Sequence, residues 1–167
     1  MPVPIDHRNE ALSQLNIVYD LIKDYEQIHV QGLKRFFRQI RDQESINARI
    51  RKTIRTLLCT ILCICETQAD RPYSLIKLKV IRDYLKRMIE ALKLNNLHDL
   101  CILDKEISEN TCCWENIQYS FDTMFSEIEQ LLYSKEEIES ANKCTMSDEE
   151  LQQRSDYLET LPTDLDD

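Results

Sequence analysis

The sequence predicts an all-α protein: a bundle of four to five long helices over residues 5–143, followed by a short acidic tail over residues 144–167. The 167 residues include one glycine and four prolines, so the chain lacks the turn residues that folds built from many short strands require. Hydrophobic residues make up 43% and charged residues 31% of the chain, which is a globular composition. Apolar residues recur three and four positions apart along most of the chain, which is typical of helices that bury one face.

The first helical stretches lie on either side of the single glycine. Helical spacing from about residue 7 to residue 28 predicts a helix with Asp6 as its N-cap. Gly32 is either the residue that ends this helix or an interior position. Beyond Gly32, the apolar pattern continues to about Arg41 through Leu33, Phe36, Phe37 and Ile40.

A further helix is predicted from about residue 45 to residue 67, and we expect it at the centre of the bundle. Its second half is apolar on nearly every side, which indicates a helix surrounded by others. Because free cysteines pack as small hydrophobic residues, we expect Cys59, Cys63 and Cys65 to be buried structural thiols. A zinc site is the alternative, since Cys59 and Cys63 lie one turn apart on one face. A redox role is the third hypothesis.

Prolines and asparagines divide the rest of the chain. Pro72 fits the first turn of a helix that is expected to end near Asn95 and Asn96, which can adopt the left-handed conformation. Residues after this point suggest a short helix. A last long helix is predicted from about residue 111 to residue 140, capped by Asn110 or Thr111. Its aromatic and methionine side chains are expected in the core: Trp114, Phe121, Met124 and Phe125.

Charge is segregated along the chain, although the net charge is −9. Residues 1–29 carry two basic and five acidic groups, residues 30–95 carry fifteen and six, and residues 96–167 carry four and nineteen. Either these regions neutralise each other in the fold, or the positive middle binds an anionic partner.

The basic stretch is the strongest functional signal. Its arginines and lysines recur at helical spacing, and arginine suits bidentate contact with carboxylate or phosphate. If the helices are adjacent, their basic faces merge into one surface. The partner-binding residues predicted for this surface are Lys34, Arg35, Arg38, Arg41, Arg51, Lys52 and Arg55.

The acidic tail is a second predicted contact. Ser147 and Glu150 have the spacing of a capping box, so a short helix is expected before Pro162, followed by disorder. Ser147 and Thr163 are candidate phosphorylation sites because acidic residues follow them. Apolar residues in an acidic background are typical of a segment that orders on binding, and the predicted contact residues are Tyr157, Leu158 and Leu161.

These features favour a non-enzymatic interaction subunit or adaptor that binds protein partners through helix faces and the tail. The three histidines are isolated in sequence, and the chain carries no nucleophile elbow, zinc-binding helix motif or phosphate loop. No catalytic residue, metal or cofactor is therefore expected. The alternative is a helical nucleic-acid-binding protein that uses the basic surface of residues 34–87, with the tail autoinhibitory.

The sequence also predicts an intracellular protein of the cytoplasm or nucleus. Residues 1–6 have no cationic start or apolar run of a secretory signal, and no apolar run is long enough to span a bilayer. The seven cysteines are then expected to be reduced thiols. The oligomeric state and the identity of the partner are left open by these patterns.

Overall fold

All secondary structure is α-helical in the computed structural model, which describes residues 4–67, 71–111 and 114–144. This confirms the all-α class. The described residues form seven helices rather than four to five, because two of the predicted helical stretches each form two helices. The helices are α1 (Pro4–Ile22), α2 (Val30–Asp42), α3 (Ala48–Glu66), α4 (Arg71–Lys93), α5 (Leu97–Asn110), α6 (Glu115–Leu132) and α7 (Lys135–Cys144).

The stretch around the only glycine forms α1 and α2. α1 already includes Asp6, so the prediction of Asp6 as its N-cap is wrong. α1 ends at Ile22 rather than near residue 28, and a turn connects it to α2. His29 begins α2 by accepting a hydrogen bond from the Gly32 N–H through Nδ1 at 3.0 Å. Gly32 is therefore an interior position, and a Cβ atom there would lie 2.6 Å from the same Nδ1.

α3 lies centrally, where it packs against α1, α2, α4 and α6. Asn47 caps α3 by accepting the Arg49 N–H at 2.9 Å, and the Asn47 N–H donates to Glu10 of α1 at 2.9 Å. Burying a large aliphatic side chain stabilises a fold by about 1.5–3 kcal/mol, and the inward face of α3 carries five such side chains. Each of these five side chains is at most 1% exposed, and they are Ile50, Ile54, Leu57, Leu58 and Ile61.

The turn between α4 and α5 has the conformation that its asparagines predict. Pro72 lies in the first turn of α4, as expected. Asn95 is left-handed with φ of 51°. The Asn96 N–H donates to the Ala91 carbonyl at 2.9 Å, and the Asn95 N–H donates to the Leu92 carbonyl at 3.2 Å. This pair of bonds is a Schellman motif, and α5, the short helix suggested by the sequence, follows it.

The predicted last helix is interrupted and forms α6 and α7. Ser134 and Glu137 make a capping box: the Glu137 N–H donates to Ser134 Oγ at 3.1 Å, and the Ser134 N–H donates to Glu137 Oε1 at 3.4 Å. Thr111 closes α5 instead of capping α6, since its N–H and its hydroxyl both donate to the last turn of α5. α6 begins after Trp114, which makes no side-chain capping bond. The prediction of Asn110 or Thr111 as the cap is therefore wrong.

One hydrophobic core joins α1 through α6. Three of the four predicted core side chains on α6 and its N-cap are buried: Phe121, Met124 and Phe125. Trp114 is the exception and is partly exposed at the edge of the core. The Thr60 and Ser120 hydroxyls lie 2.5 Å apart between α3 and α6, so these buried polar groups are paired. Within the part of the chain that the structure describes, no helix combines the length and the apolar character that a membrane crossing requires.

Candidate interaction surface on α3

The two basic stretches meet because α2 packs against α3. Phe37 of α2 is partly exposed at this junction, and the Arg55 guanidinium of α3 lies 5.4 Å from the centre of its ring. This distance is within the range of a cation–π contact. Lys52, Thr56 and Cys59 complete the lining of a cavity of about 240 Å³ there. We call this cavity, with its five lining residues, the cationic cavity.

Three of the seven predicted basic residues are engaged by their own chain. Lys34 Nζ lies 3.8 Å from Glu66 Oε1, and Arg41 Nε lies 3.1 Å from Asp42 Oδ1. The Asp42 side chain raises the pKa of Arg41 by accepting a hydrogen bond from it. Arg51 donates to the Gln43 carbonyl at the turn before α3. These three residues are therefore less available to a partner than the sequence suggests.

Arg35, Arg38 and Lys52 are exposed, and none of them pairs with a carboxylate in the described ranges. Arg55 differs from them because it is half-buried. Its Nε atom is shielded from solvent and has no hydrogen-bond acceptor among the described residues. A buried donor without an acceptor costs about 1–3 kcal/mol.

The cysteine prediction is wrong for two of its three residues. Cys59 and Cys63 are exposed, Cys65 is half-buried, and all three are free thiols. The inward face of α3 is filled by its isoleucines and leucines, so Cys59 and Cys63 face outward, where no described element covers them. Partial burial raises the pKa of the Cys65 thiol. Cys101 of α5 is buried, and burial raises its pKa to about 11.

The exposed cysteines lie on a continuous outward face of α3. Five residues of this face are spaced four, three, four and four positions apart, so they share one side of the helix. All five are exposed or partly exposed. We call this set the α3 face, and its members are Lys52, Thr56, Cys59, Cys63 and Thr67. The spacing of these five residues can be read from the sequence. The apolar residues between them, however, make this whole side of α3 look buried.

A second and larger cavity lies at the C-terminal end of the α3 face. It has a volume of about 430 Å³, and we call it the aromatic cavity. It is lined by Thr60, Cys63, Ile64, Thr67, Tyr73, Ser74, Lys77, Trp114, Glu115, Asn116 and Ile117. The Tyr73 and Trp114 rings meet edge to face with centroids 6.0 Å apart, and the Trp114 indole N–H donates to the Tyr73 hydroxyl. Lys77 Nζ lies 4.5 Å from the centre of the Tyr73 ring, so this cavity also has a cationic edge.

The α3 face therefore connects two cavities with different walls. Cations and one phenyl ring line the cavity near Lys52, whereas two larger aromatic rings and one lysine line the cavity near Thr67. Thr56 and Cys59 belong to the lining of the first cavity, and Cys63 and Thr67 belong to the lining of the second. A helix rises 1.5 Å per residue, so the face is about 22 Å long. Sequence reasoning missed Tyr73, Lys77 and Trp114 as parts of this surface, because the chain alone does not show which residues of α4 and α6 reach the end of α3.

A third cavity, on the side of α5, α6 and α7, is acidic. Its volume is about 340 Å³, and we call it the acidic cavity. Its lining residues are Asp104, Ser108, Asp122, Ser126, Glu129, Gln130 and Ile138. Desolvation, with the neighbouring Asp104 carboxylate, raises the pKa of Glu129 to about 7. Desolvation and Asp122 raise the pKa of Asp104 to about 6.

The basic and acidic regions neutralise each other only in part. Arg49 Nε lies 3.4 Å from Glu127 Oε2, and Arg87 Nη2 lies 2.6 Å from Glu106 Oε2. The hydrogen bond to Glu106 raises the pKa of Arg87. Arg49 lies on α3 one turn before Lys52, at the start of the α3 face, whereas Arg87 lies on α4. The cationic cavity itself has no carboxylate in its lining.

No described group of three or more histidine, cysteine, aspartate or glutamate side chains has an arrangement that could hold a metal ion. The zinc hypothesis for Cys59 and Cys63 thus gains no third ligand in that part of the chain. The residues predicted for the tail lie outside the described residues: Ser147, Tyr157, Leu158, Leu161 and Thr163.

Comparisons of this chain with models of protein families, with curated proteins and with solved structures found no match.

Proposed function

We propose that this protein is a non-enzymatic interaction subunit that binds an acidic, amphipathic segment of a protein partner along the α3 face. The proposal rests on the α3 face, which no described element covers. Cys59 and Cys63, which the sequence predicts to be buried, are exposed, and each lines one of the two cavities. A bound helix or extended segment would cover the two thiols and present carboxylates to Lys52 and Arg55.

Charge complementarity supports an acidic partner. Arg55 is half-buried in the cationic cavity and pairs with no carboxylate among the described residues, and a carboxylate can accept from two guanidinium nitrogens at once. Lys52 and Arg38 are exposed nearby on α3 and α2. Charged pairs at the edge of such an interface accelerate association, and partly desolvated pairs reduce dissociation.

The aromatic cavity supports a protein partner rather than a nucleic acid. Tyrosine and tryptophan in a concave site are typical anchors for an apolar side chain, and this cavity lies at the opposite end of the α3 face from Lys52 and Arg55. A phosphate backbone instead requires repeated cationic contacts at regular spacing. Lys34 and Arg41, which would extend the basic surface, are paired within the chain.

Affinity capture with the full chain tests the proposal. The bait is immobilised, the lysate is treated with nuclease, and the variants Lys52→Glu and Arg55→Glu are compared with Lys79→Glu. Lys79 is an exposed lysine of α4 outside both cavities, so it controls for the change in net charge. We expect each α3 variant to lose at least tenfold of the captured protein, because the new glutamate would face a carboxylate of the partner and like charges brought together at an interface cost several kcal/mol. The Lys79 variant should retain it.

Photo-crosslinking locates the contact. A benzophenone amino acid replaces Thr56 on the α3 face or, as the matched control, the exposed Lys105 on α5. The captured protein should crosslink at position 56 through an acidic segment and should not crosslink at position 105. Capture that survives Arg55→Glu, or equal crosslinking at both positions, contradicts the proposal. Loss of capture with nuclease, together with salt-dependent binding of a labelled 20-base-pair duplex, would replace it with the nucleic-acid hypothesis.

A further inference from the structure

The charge pattern points to an occupant of the α3 face within the chain itself: we propose that residues 147–161 dock there in cis and compete with the partner. This inference concerns regulation of the α3 face. The claim that the segment competes with a partner rests on the proposed function. The docking itself stands on charge, length and apolar pattern.

Charge complementarity is the first argument. Residues 147–161 carry five carboxylates and one arginine. The cationic cavity presents Lys52 and Arg55 without a lining carboxylate, and Arg55 Nε has no acceptor in the described ranges. The acidic segment therefore supplies the groups that this cavity lacks.

Length is the second argument. Ser147 and Glu150 have capping-box spacing, and Pro162 cannot continue a helix, so the sequence predicts a helix of at most residues 148–161. Such a helix is about 21 Å long, close to the 22 Å estimated for the α3 face. Leu151, Leu158 and Leu161 lie on one side of this helix, and they would cover the two exposed thiols.

The direction of α7 is the third argument. The Tyr133 hydroxyl before α7 donates to Asn95 Oδ1 at 2.7 Å, and Ile138 lines the acidic cavity with Asp104 and Ser108. α7 therefore runs alongside α5 toward the end of the bundle where α5 closes and Trp114 begins α6. The aromatic cavity opens at this same end, so the chain leaves α7 on the side from which residue 147 can approach the α3 face.

A peptide competition measures the docking. The probe is a fluorescein-labelled peptide of residues 145–167, titrated by anisotropy at low salt. It is titrated against the unchanged full chain and against the full-chain double variant Leu158→Asp, Leu161→Asp. The control is the double variant Gln153→Asp, Thr160→Asp, which adds the same two negative charges on the opposite side of the predicted helix. A tethered segment acts at an effective concentration of about 1 mM. If the free peptide binds with a Kd of about 100 μM, the double variant should bind it about tenfold more tightly than the unchanged chain or the control.

Adding Arg55→Glu, or Lys52→Glu as a second test, to the double variant should weaken peptide binding at least tenfold. Equal binding by the unchanged chain and the double variant overturns the inference, as does no binding by either. Peptide binding that Arg55→Glu and Lys52→Glu leave unchanged also overturns it, because the segment would then lie elsewhere. Partner capture is measured separately. If the double variant and the unchanged chain bind the peptide equally while capture of the partner is intact, only the inference is refuted. If the peptide docks but no protein is captured, only the proposed function is refuted.

Discussion

On the α2–α3 side of the bundle, arginines and lysines extend into solvent, whereas on the α5–α6–α7 side carboxylates enclose a cavity. Arg35, Arg38 and Lys52 are exposed, so water solvates their charges at little cost to folding. Asp104 and Glu129 are partly desolvated and close to each other, and the pKa of each is raised. The exposed basic residues are therefore available for binding with little effect on stability, whereas the acidic side carries a cost in stability that depends on pH.

The largest expected effect comes from the apolar core that joins the two sides. Leu58 and Cys59 are neighbours on α3, but Leu58 is fully buried and Cys59 is exposed. Leu58→Ala should lower the free energy of unfolding by about 2–5 kcal/mol, and Cys59→Ala should change it by less than about 0.5 kcal/mol. Urea denaturation of both variants measures the difference. Similar losses for the two would mean that α3 is covered on both faces.

A smaller effect is expected on the acidic side. Glu129 has a folded pKa of about 7 against an ordinary value of 4.5, so its contribution to stability is fully present below about pH 4.5 and is lost as the pH rises through 7. Asp104, with a pKa raised to about 6, acts in the same direction. At pH 8, Glu129→Gln should therefore stabilise the protein by about 1 kcal/mol, less than the full pKa shift implies because the carboxylate is partly solvated.

Urea denaturation of the Glu129→Gln variant at pH 5 and pH 8 measures this dependence. The gain over the unchanged chain should be smaller at pH 5, where Glu129 is protonated in the folded state. Lys52→Gln on the basic side is the matched control, and it should change stability by less than about 0.5 kcal/mol at either pH. A gain for Glu129→Gln that is equal at both pH values would show that desolvation of the carboxylate is not its cause.

The smallest effect is expected for an ion pair that links the basic and acidic regions. Arg87 and Glu106 pair at 2.6 Å, but their side chains are 46% and 39% exposed. Arg87→Gln should therefore cost no more than about 0.5–1 kcal/mol, and 0.5 M salt should reduce this difference by screening. Thermal denaturation at low and high salt measures it. A loss above about 2 kcal/mol that salt does not change would indicate that the pair holds the two regions together.

The sequence predicts the helices well where local chemistry decides the outcome. Pro72 and Asn95 mark the ends of α4 because their backbone preferences act within a few residues. The break at Ser134 was also readable, since Ser134 and Glu137 form a capping box, but the continuous apolar pattern of α6 obscured it. Gly32 allowed two interpretations, and the contact with His29 decides between them.

The candidate surface was only partly predictable, because exposure depends on which other elements arrive. The basic residues could be listed from helical spacing, but the pairing of Lys34 with Glu66 joins distant parts of the chain. Cys59 and Cys63 belong to an apolar stretch, and nothing local distinguishes its covered side from its open side. Tyr73 and Trp114 are 41 positions apart in the sequence, and only the packing of α4 and α6 at the end of α3 brings them together.

The position of α1 has a consequence for how the protein is made. α1 packs against α3, α4 and α6, yet about 110 residues separate the end of α1 from the end of α6. At a synthesis rate of about 5–20 residues per second, roughly 6–22 s pass before the last of these neighbours has been made. During this interval the apolar face of α1 is not yet covered by α6. The residues of this face are Ala11, Leu15, Val18 and Ile22. The growing chain therefore exposes, for seconds, an apolar face that the folded molecule buries completely.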